Sequence, residues 1–263
     1  MSSRLVTGDP LISLGFRTLL SKEIRRFLRV PGQTLATPLV TTSLYFIVFG
    51  VSIGHQLREV GGVPYARFIV PGLVLMGVVQ NAYLNSASSL FVMKLQGTIV
   101  DVLVSPLSHA EVLGAFVLAA VVRGLLVGAI TFAVAGAFTG FEVAHPLLAV
   151  AVVTLAAVAF AAGGVVSAIW AQTFEQVNFF PTFFILPLTF LGGVFFSIRV
   201  LPPGLAAVAA ANPIFYMVDG LRFAMLGSGD GSPWAGFLLV ILLAAGALTS
   251  AYLLLRSGWR LRG

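Results

Sequence analysis

The sequence predicts an all-α integral membrane protein of about six transmembrane helices, and three observations predict it. Hydrophobic residues make up 59% of the 263-residue chain and charged ones only 9%, against about 25% charged in an average soluble protein. Mean hydropathy is +1.04. Six runs approach the roughly 20 apolar residues needed to cross a bilayer: Leu35–Ile53, Phe68–Val92, Val112–Phe138, Pro146–Trp170, Val177–Phe196 and Trp234–Leu255. Residues 1–263 read as a single transmembrane domain with short connections and no room for a separate soluble enzyme. Met1–Pro31 is polar and basic, and the first apolar run exceeds the hydrophobic region of a signal peptide, so a cleavable leader is not expected. The absence of cysteine excludes disulfides, thiol catalysis and Cys-ligated metal.

Positive charge orients the spans. Arg4, Arg17, Lys22, Arg25, Arg26 and Arg29 precede span one, Lys94 follows span two, and Arg256, Arg260 and Arg262 follow span six. With six spans these 10 share one side, against 4 opposite: Arg58, Arg67, Arg199 and Arg222. Both termini are therefore expected in the cytoplasm. The net charge of +6 is explained by this bias and by contact with anionic lipid. No nucleic-acid-binding motif accompanies the basic residues, so a nucleic-acid partner is not expected.

The chain begins with an amphipathic stretch at 11–29. Ile12, Phe16, Leu19, Leu20, Ile24, Phe27 and Leu28 form one stripe, with Arg17, Lys22, Arg25, Arg26 and Arg29 around it. Such a helix lies in the membrane interface, either as a plain anchor or as a lever moved by a cytoplasmic partner. Pro31-Gly32 ends it. Span two is the most polar span, with Gln80, Asn81, Tyr83, Asn85, Ser86, Ser88 and Ser89 in its second half. Interhelical hydrogen bonds and a wet pathway both account for such residues.

The connection 93–111 holds a short helix at Thr98–Val104, stopped before Pro106. Ser108, with Glu111 three residues on, fits a capping box that starts span three. A defined helix presented between two spans suits either docking or simple connection. Span three carries Arg123, the one charge deep in an apolar run, at a cost of roughly 2.5–3.5 kcal/mol on insertion scales. It must face a cavity, an acceptor or the bundle interior. Gly124, Gly128, Gly136 and Gly140 on the same helix form a close-packing face of the small-xxx-small type.

Span five contains Phe179, Phe180, Phe183, Phe184, Phe190, Phe195 and Phe196, and Pro181 and Pro187 predict a kink or local break. Its rings face lipid or line a path for a greasy substrate. After it, 201–223 is too apolar for a solvated loop, yet Pro202, Pro203 and Asn212-Pro213 interrupt it. It reads as two short re-entrant helices, whose backbone must be satisfied by protein or water.

All nine acidic residues and three histidines lie outside the long apolar runs. A proton- or sodium-driven carrier normally keeps such a group inside the membrane, so power is expected from outside the bundle. Without a Gly-Lys pair the chain has no phosphate-cradling loop of the Walker type. It is expected to bind no cofactor, to be no enzyme, and to leave ATP to another subunit.

Three segments, KEIRRFLRVPGQ (22–33), GTIVDVLVSPLSHAEVLG (97–114) and GVFFSIRVLPPGLAAVAAANPIFYMVDGLR (193–222), resemble the type-2 ABC transporter permeases, the membrane subunits of drug, lipid and polysaccharide exporters. The resemblance covers nearly the whole chain. It implies an interfacial helix including Lys22, Glu23, Arg25 and Arg26. It also implies a coupling helix at 97–104 whose Thr98, Ile99, Asp101, Val102 and Leu103 contact an ATPase. Asn212, Pro213, Tyr216, Asp219 and Arg222 would shape an outer gate. Tyr45, Phe46, Phe49, Asn81, Asn85, Arg123, Phe183 and Phe184 complete the expected pathway. The implied assembly has two permeases, most simply a homodimer, and two ATPase subunits in a bacterial cytoplasmic (inner) membrane, with lipid around it. Phenylalanine in place of Tyr- and Trp-rich belts leans toward lipid-like cargo over glycan. An ATP-independent carrier or channel, and a lipid-headgroup transferase built on Asp219 and Arg222, are the alternatives from other classes.

Overall fold

The computed structural model describes residues 14–53, 59–140 and 142–260. Leu11, Ile12, Arg4, Asp9, His55, Arg58 and Arg262 lie outside them. The first helix, α1 (Leu14–Leu28), is followed at Pro31 by a continuous helical stretch through Ile53. Its middle is α2 (Thr37–Tyr45), and Gly32–Ala36 and Phe46–Ile53 are π-helical. At about 1.5 Å per residue this stretch is long enough for the expected first span. A two-residue hairpin follows, β1 (Glu59–Val60) against β2 (Val63–Pro64), turned by Gly61-Gly62 at φ +60° and +80°. A Gly-Gly pair is the ordinary signature of such a turn.

The short α3 (Tyr65–Phe68) leads into α4 (Val70–Leu95), then α5 (Ile99–Val104), α6 (His109–Thr139) and α7 (Pro146–Trp170). The fifth span is broken as its prolines require, with α8 (Phe174–Phe180), a π turn at Pro181–Ile185, and α9 (Leu186–Leu191). Then come α10 (Pro203–Ala211), α11 (Pro213–Leu226) and α12 (Pro233–Ser257). Among the described residues, five helical stretches are long and apolar enough to cross a membrane: Tyr65–Leu95, His109–Thr139, Pro146–Trp170, Phe174–Leu191 and Pro233–Ser257. With α2 and its flanks this matches the six runs in the sequence.

The pair α10 and α11 bends by 86° at Asn212. Arg199, just before the pair, donates to Gly229 O and Asp230 O, just after it, at 3.2 and 3.3 Å. Both ends therefore meet on one face, and the pair is a hairpin that enters and returns. Helix α11 is largely buried, while α10 keeps most of its side chains exposed.

The core is built around α4, whose polar half faces its neighbours. Ser86 Oγ donates to Ala161 O of α7 at 2.7 Å. A Cβ on Gly164 of α7 would fall 2.5 Å from Tyr83 O, so only glycine allows this approach. On α6, Gly124 and Gly128 pack against Ala82 and Val78 as the small-residue face predicted. Gly136 instead faces open space, and Gly140 caps the helix at φ +58°. The capping box forms, Ser108 Oγ accepting from Glu111 N at 3.2 Å and Ser108 N donating to Glu111 Oε2 at 2.8 Å.

One end of the bundle gathers the expected cations. Lys94 Nζ donates to Ile169 O and Ala171 O at 2.7 and 2.8 Å, and Arg260 to Trp170 O at 2.9 Å. These are the last carbonyls of α7, where positive charge is favourable. The end of α12 thus lies on the same face as the ends of α4 and α7.

Candidate functional site

At that basic end, α1 and α5 flank the exit of α4. Leu19, Glu23 and Phe27 repeat every four residues and form the buried line of α1. A carboxylate in an apolar stripe is costly unless it is hydrogen-bonded. Ser89 Oγ of α4 donates to Glu23 Oε2 at 2.5 Å, and Arg26 Nε donates to the same oxygen at 3.1 Å. Arg26 Nη2 then reaches Asn85 O and Asn85 Oδ1, both at 3.0 Å. Polar side chains therefore fasten α1 onto span two. Lys22 and Arg25 remain on the exposed side of α1.

The expectation that no carboxylate enters the body of the bundle needs correction. Glu23 and Asp219 lie outside the apolar runs in sequence, yet both are buried, at 1% and 2% exposure. Docking of α1 and return of α11 put them there, which the linear pattern does not show.

Helix α5 sits across the groove from α1. Ile99 is 1% exposed and packs into the core, so it anchors the helix and faces away from any docking partner. Val102 and Leu103 are half-buried against the same core. The outward face consists of Thr98 and Asp101 together with Val100 and Val104, the last two 45% and 77% exposed. Those two valines are additions to the residues singled out from sequence, and their i, i+4 spacing carried the signal. Between the helices lies a polar groove of about 470 Å³, bordered by Lys22, Glu23, Arg26, Ser89, Thr98 and Asp101. Of the interfacial and coupling residues named from sequence, Lys22, Glu23, Arg26, Thr98, Asp101 and Val102 border this one depression, and Arg25, Ile99 and Leu103 do not line it.

From this groove a polar path runs inward. Asn85 Oδ1 also accepts from Arg123 Nη1 at 3.4 Å. Arg123 lines a second cavity of about 230 Å³, between span one and spans two and three, with Thr41, Tyr45, Gln80 and Asn81. Asn81 Nδ2 donates to Gly77 O at 3.0 Å. Phe46 faces away from this cavity and stacks on Phe138 at 5.2 Å. Tyr45 and Phe49 instead reach Phe195 beyond α9, with centroids 5.9 and 4.1 Å away, so spans one and five touch through rings. Phe183 and Phe184 are 65% and 48% exposed on the outer surface of span five.

The opposite end is closed by a buried charge cluster. Asp219 accepts from Asp230 N and Gly231 N at 2.6 and 2.9 Å. Asp230 pairs with Arg199 at 3.4 Å and stands 4.0 Å from Arg222. Arg222 donates to Gly193 O and lies over the Phe68 ring at 3.9 Å. Asn212 caps α11 through Ile214 N at 3.0 Å and donates to Leu188 O of α9 at 2.5 Å, so it is the hinge of the hairpin. Pro213 lines an apolar cavity of about 510 Å³ with Phe184 and Trp170, and Tyr216 O abuts Gly236 of α12. Arg199 and Asp230 were not singled out in the sequence, because their partners lie some 30 residues away and nothing local marks them. Both oxygens of Asp219 hold backbone, which suits a latch.

Comparisons with known proteins show what the chain is similar to. The family model for the ABC-2 type transporter matches residues 15–226. The chain is 40% identical over 217 residues to the inner membrane transport permease YadH of Escherichia coli (strain K12), covering 82% of this chain and 85% of that protein. It is 27% identical over 228 residues to nodulation protein J of Rhizobium leguminosarum bv. trifolii, with 86% and 87% covered. Nodulation protein J of Rhizobium meliloti (strain 1021) is 27% identical over 195 residues, with 74% and 73% covered.

Proposed function

The chain belongs to the ABC-2 type transporter family, and from that premise we propose that it is the permease of an ATP-driven exporter for an amphipathic substrate. Membership implies an ABC ATPase as partner, and the inner-membrane relative supports a bacterial inner membrane as its site. The working unit in this proposal has two copies of this chain and two ATPase subunits, with both termini in the cytoplasm.

One observation carries the reading: α1 and α5 border a single polar groove at the basic end, while α1 is bonded through Asn85 to Arg123 in the bundle. Push on that end and the displacement reaches span three. ATP binding closes the ATPase dimer against α5 and α1. Spans one and five of the two copies then part, and the closed and open arrangements exchange population according to nucleotide. The buried cluster of Asp219, Arg222 and Asp230 holds the far end shut between cycles.

The test is reconstitution. The permease purified with its ATPase should concentrate a fluorescent lipid analogue in inverted vesicles when ATP is supplied, with the proton gradient collapsed. Permease alone should be inert. Concentrative movement by permease alone, driven by a proton gradient, would replace this reading with the secondary carrier.

A further inference from the structure

We propose that Arg123 is the anion-recognising residue of a binding pocket for the polar end of the cargo, an amphiphile with a phosphate-like or carboxylate headgroup. This deepens the exporter reading and rests on it. The cavity between span one and the bundle carries Thr41, Gln80, Asn81 and Arg123 on its polar wall, and Leu73 and Leu84 on its apolar one. A mixed lining of this kind suits a molecule with a head and a tail.

Charge balance supplies the sign. The cluster beside the cavity holds two guanidiniums, Arg26 and Arg123, and one carboxylate, Glu23. Glu23 is paired with Arg26 at 3.1 Å. No carboxylate lies within ion-pair distance of Arg123 among the described residues. Its hydrogen bond to Asn85 Oδ1 is long, at 3.4 Å, and shared with Arg26. Its Nε is buried without a hydrogen-bond partner. A half-buried cation with no ion-pair partner and one buried, unbonded N–H is less favourable than the same group joined by an anion. A planar guanidinium with open donors matches a phosphate or carboxylate edge, which accepts two parallel bonds. The pocket is thus one negative charge short of neutrality, and the cargo headgroup supplies that charge.

The experiment uses the full chain purified in a nonionic detergent, with thermal stability followed as a probe is titrated. Dodecyl phosphate should raise the melting temperature saturably, and dodecyl alcohol should not. Arg123→Gln should weaken the apparent affinity for dodecyl phosphate at least about tenfold, with Arg123→Lys intermediate because it keeps charge and loses the fork. Thr41→Phe fills the cavity from span one, leaves Arg123 intact, and should also abolish the shift. Arg17→Gln, on the exposed basic side of α1, should bind as the wild type does. Inorganic phosphate acting at the same concentration would support the anion site and show that the headgroup alone supplies the affinity. Equal stabilisation by dodecyl alcohol, or wild-type affinity in both Arg123→Gln and Thr41→Phe, would overturn the proposal. Association with the ATPase should persist in these variants, so loss of headgroup binding leaves the exporter reading standing, and loss of the ATPase would count against that reading instead.

Discussion

Arg26 of α1 and Arg123 of α6 donate to the same oxygen, Asn85 Oδ1, at 3.0 and 3.4 Å. Two cations on separate helices are held by one neutral amide of a third. Among the described residues this amide is where the bonds of Arg26 and Arg123 meet, so it bears on how motion of α1 reaches span three. Replacing it by Asn85→Leu keeps the branched side-chain skeleton and removes both bonds to Oδ1, leaving the bond from Arg26 to Asn85 O. Cargo-stimulated ATP turnover by the reconstituted complex should fall roughly fivefold or more, the size of an ordinary coupling energy. Unstimulated turnover should stay near wild type. A variant with full stimulation would show that α1 communicates by another route.

Asp101 lies exposed in the first turn of α5, where its charge complements the helix N-terminus. Because Asp101 is exposed at the edge of the groove, Asp101→Arg should change stability by no more than about 1 kcal/mol, through the lost charge–dipole interaction. It should nevertheless sharply reduce co-purification of the ATPase and cargo-linked turnover. Val104→Asp, on the same outward face, should act in the same way. Intact association in both variants would remove α5 from the docking surface.

Gly163 and Gly164 are adjacent on α7 and have opposite surroundings. A Cβ on Gly164 would press on Tyr83 O and Ser86 Oγ of α4, while one on Gly163 meets nothing within 4 Å. Gly164→Ala should therefore cost about 1–3 kcal/mol through forced separation of α4 and α7. Gly163→Ala should be neutral or slightly stabilising, by under about 1 kcal/mol. Thermal unfolding of the two variants in one detergent provides the comparison. Equal losses would mean that helix flexibility, and not close approach, is what these glycines supply.

Asp219 receives two backbone N–H groups from the turn before α12, with both its oxygens engaged. Asp219→Ala strips the acceptor from two part-buried hydrogen bonds and should destabilise by about 1–3 kcal/mol. Asp219→Asn keeps one acceptor and should lose less. Hydrogen exchange at Asp230 and Gly231 should speed up in the alanine variant before any other part of the bundle responds. Unaltered exchange there would show that the carboxylate does not latch this turn.

Runs of apolar residues and punctuation by proline made most of the fold legible. The kink at Pro181, the cap at Ser108, the break at Asn212-Pro213 and the short α5 all follow from local chemistry, and they occur where that chemistry puts them. Contact partners were less legible. The burial of Glu23 depends on α1 docking against α4, and only the four-residue spacing Leu19, Glu23, Phe27 hinted at it. The inward turn of Ile99 was hidden for the same reason: a six-residue helix has one side for the core, and sequence alone does not say which. Pairing of Arg199 with Asp230 joins segments on either side of the hairpin, so it became visible only when the hairpin closed.

Spans one and five meet at Phe49 and Phe195, and each carries exposed apolar side chains. Val40 and Leu44 of span one are 62% and 58% exposed, and Phe183 of span five is 65% exposed. If two copies assemble across these side chains, Phe183 of one approaches Phe183 of the other near the twofold axis. The chain has no cysteine, so a single Phe183→Cys variant carries one reporter and no background. A short bis-maleimide added to intact membranes should yield a covalent dimer from it. Leu242→Cys, on a side chain of α12 that is 60% exposed, is the lipid-facing control and should remain monomeric. Dimer yield that is equal at both positions, or absent at Phe183, would place the contact between copies elsewhere on the bundle.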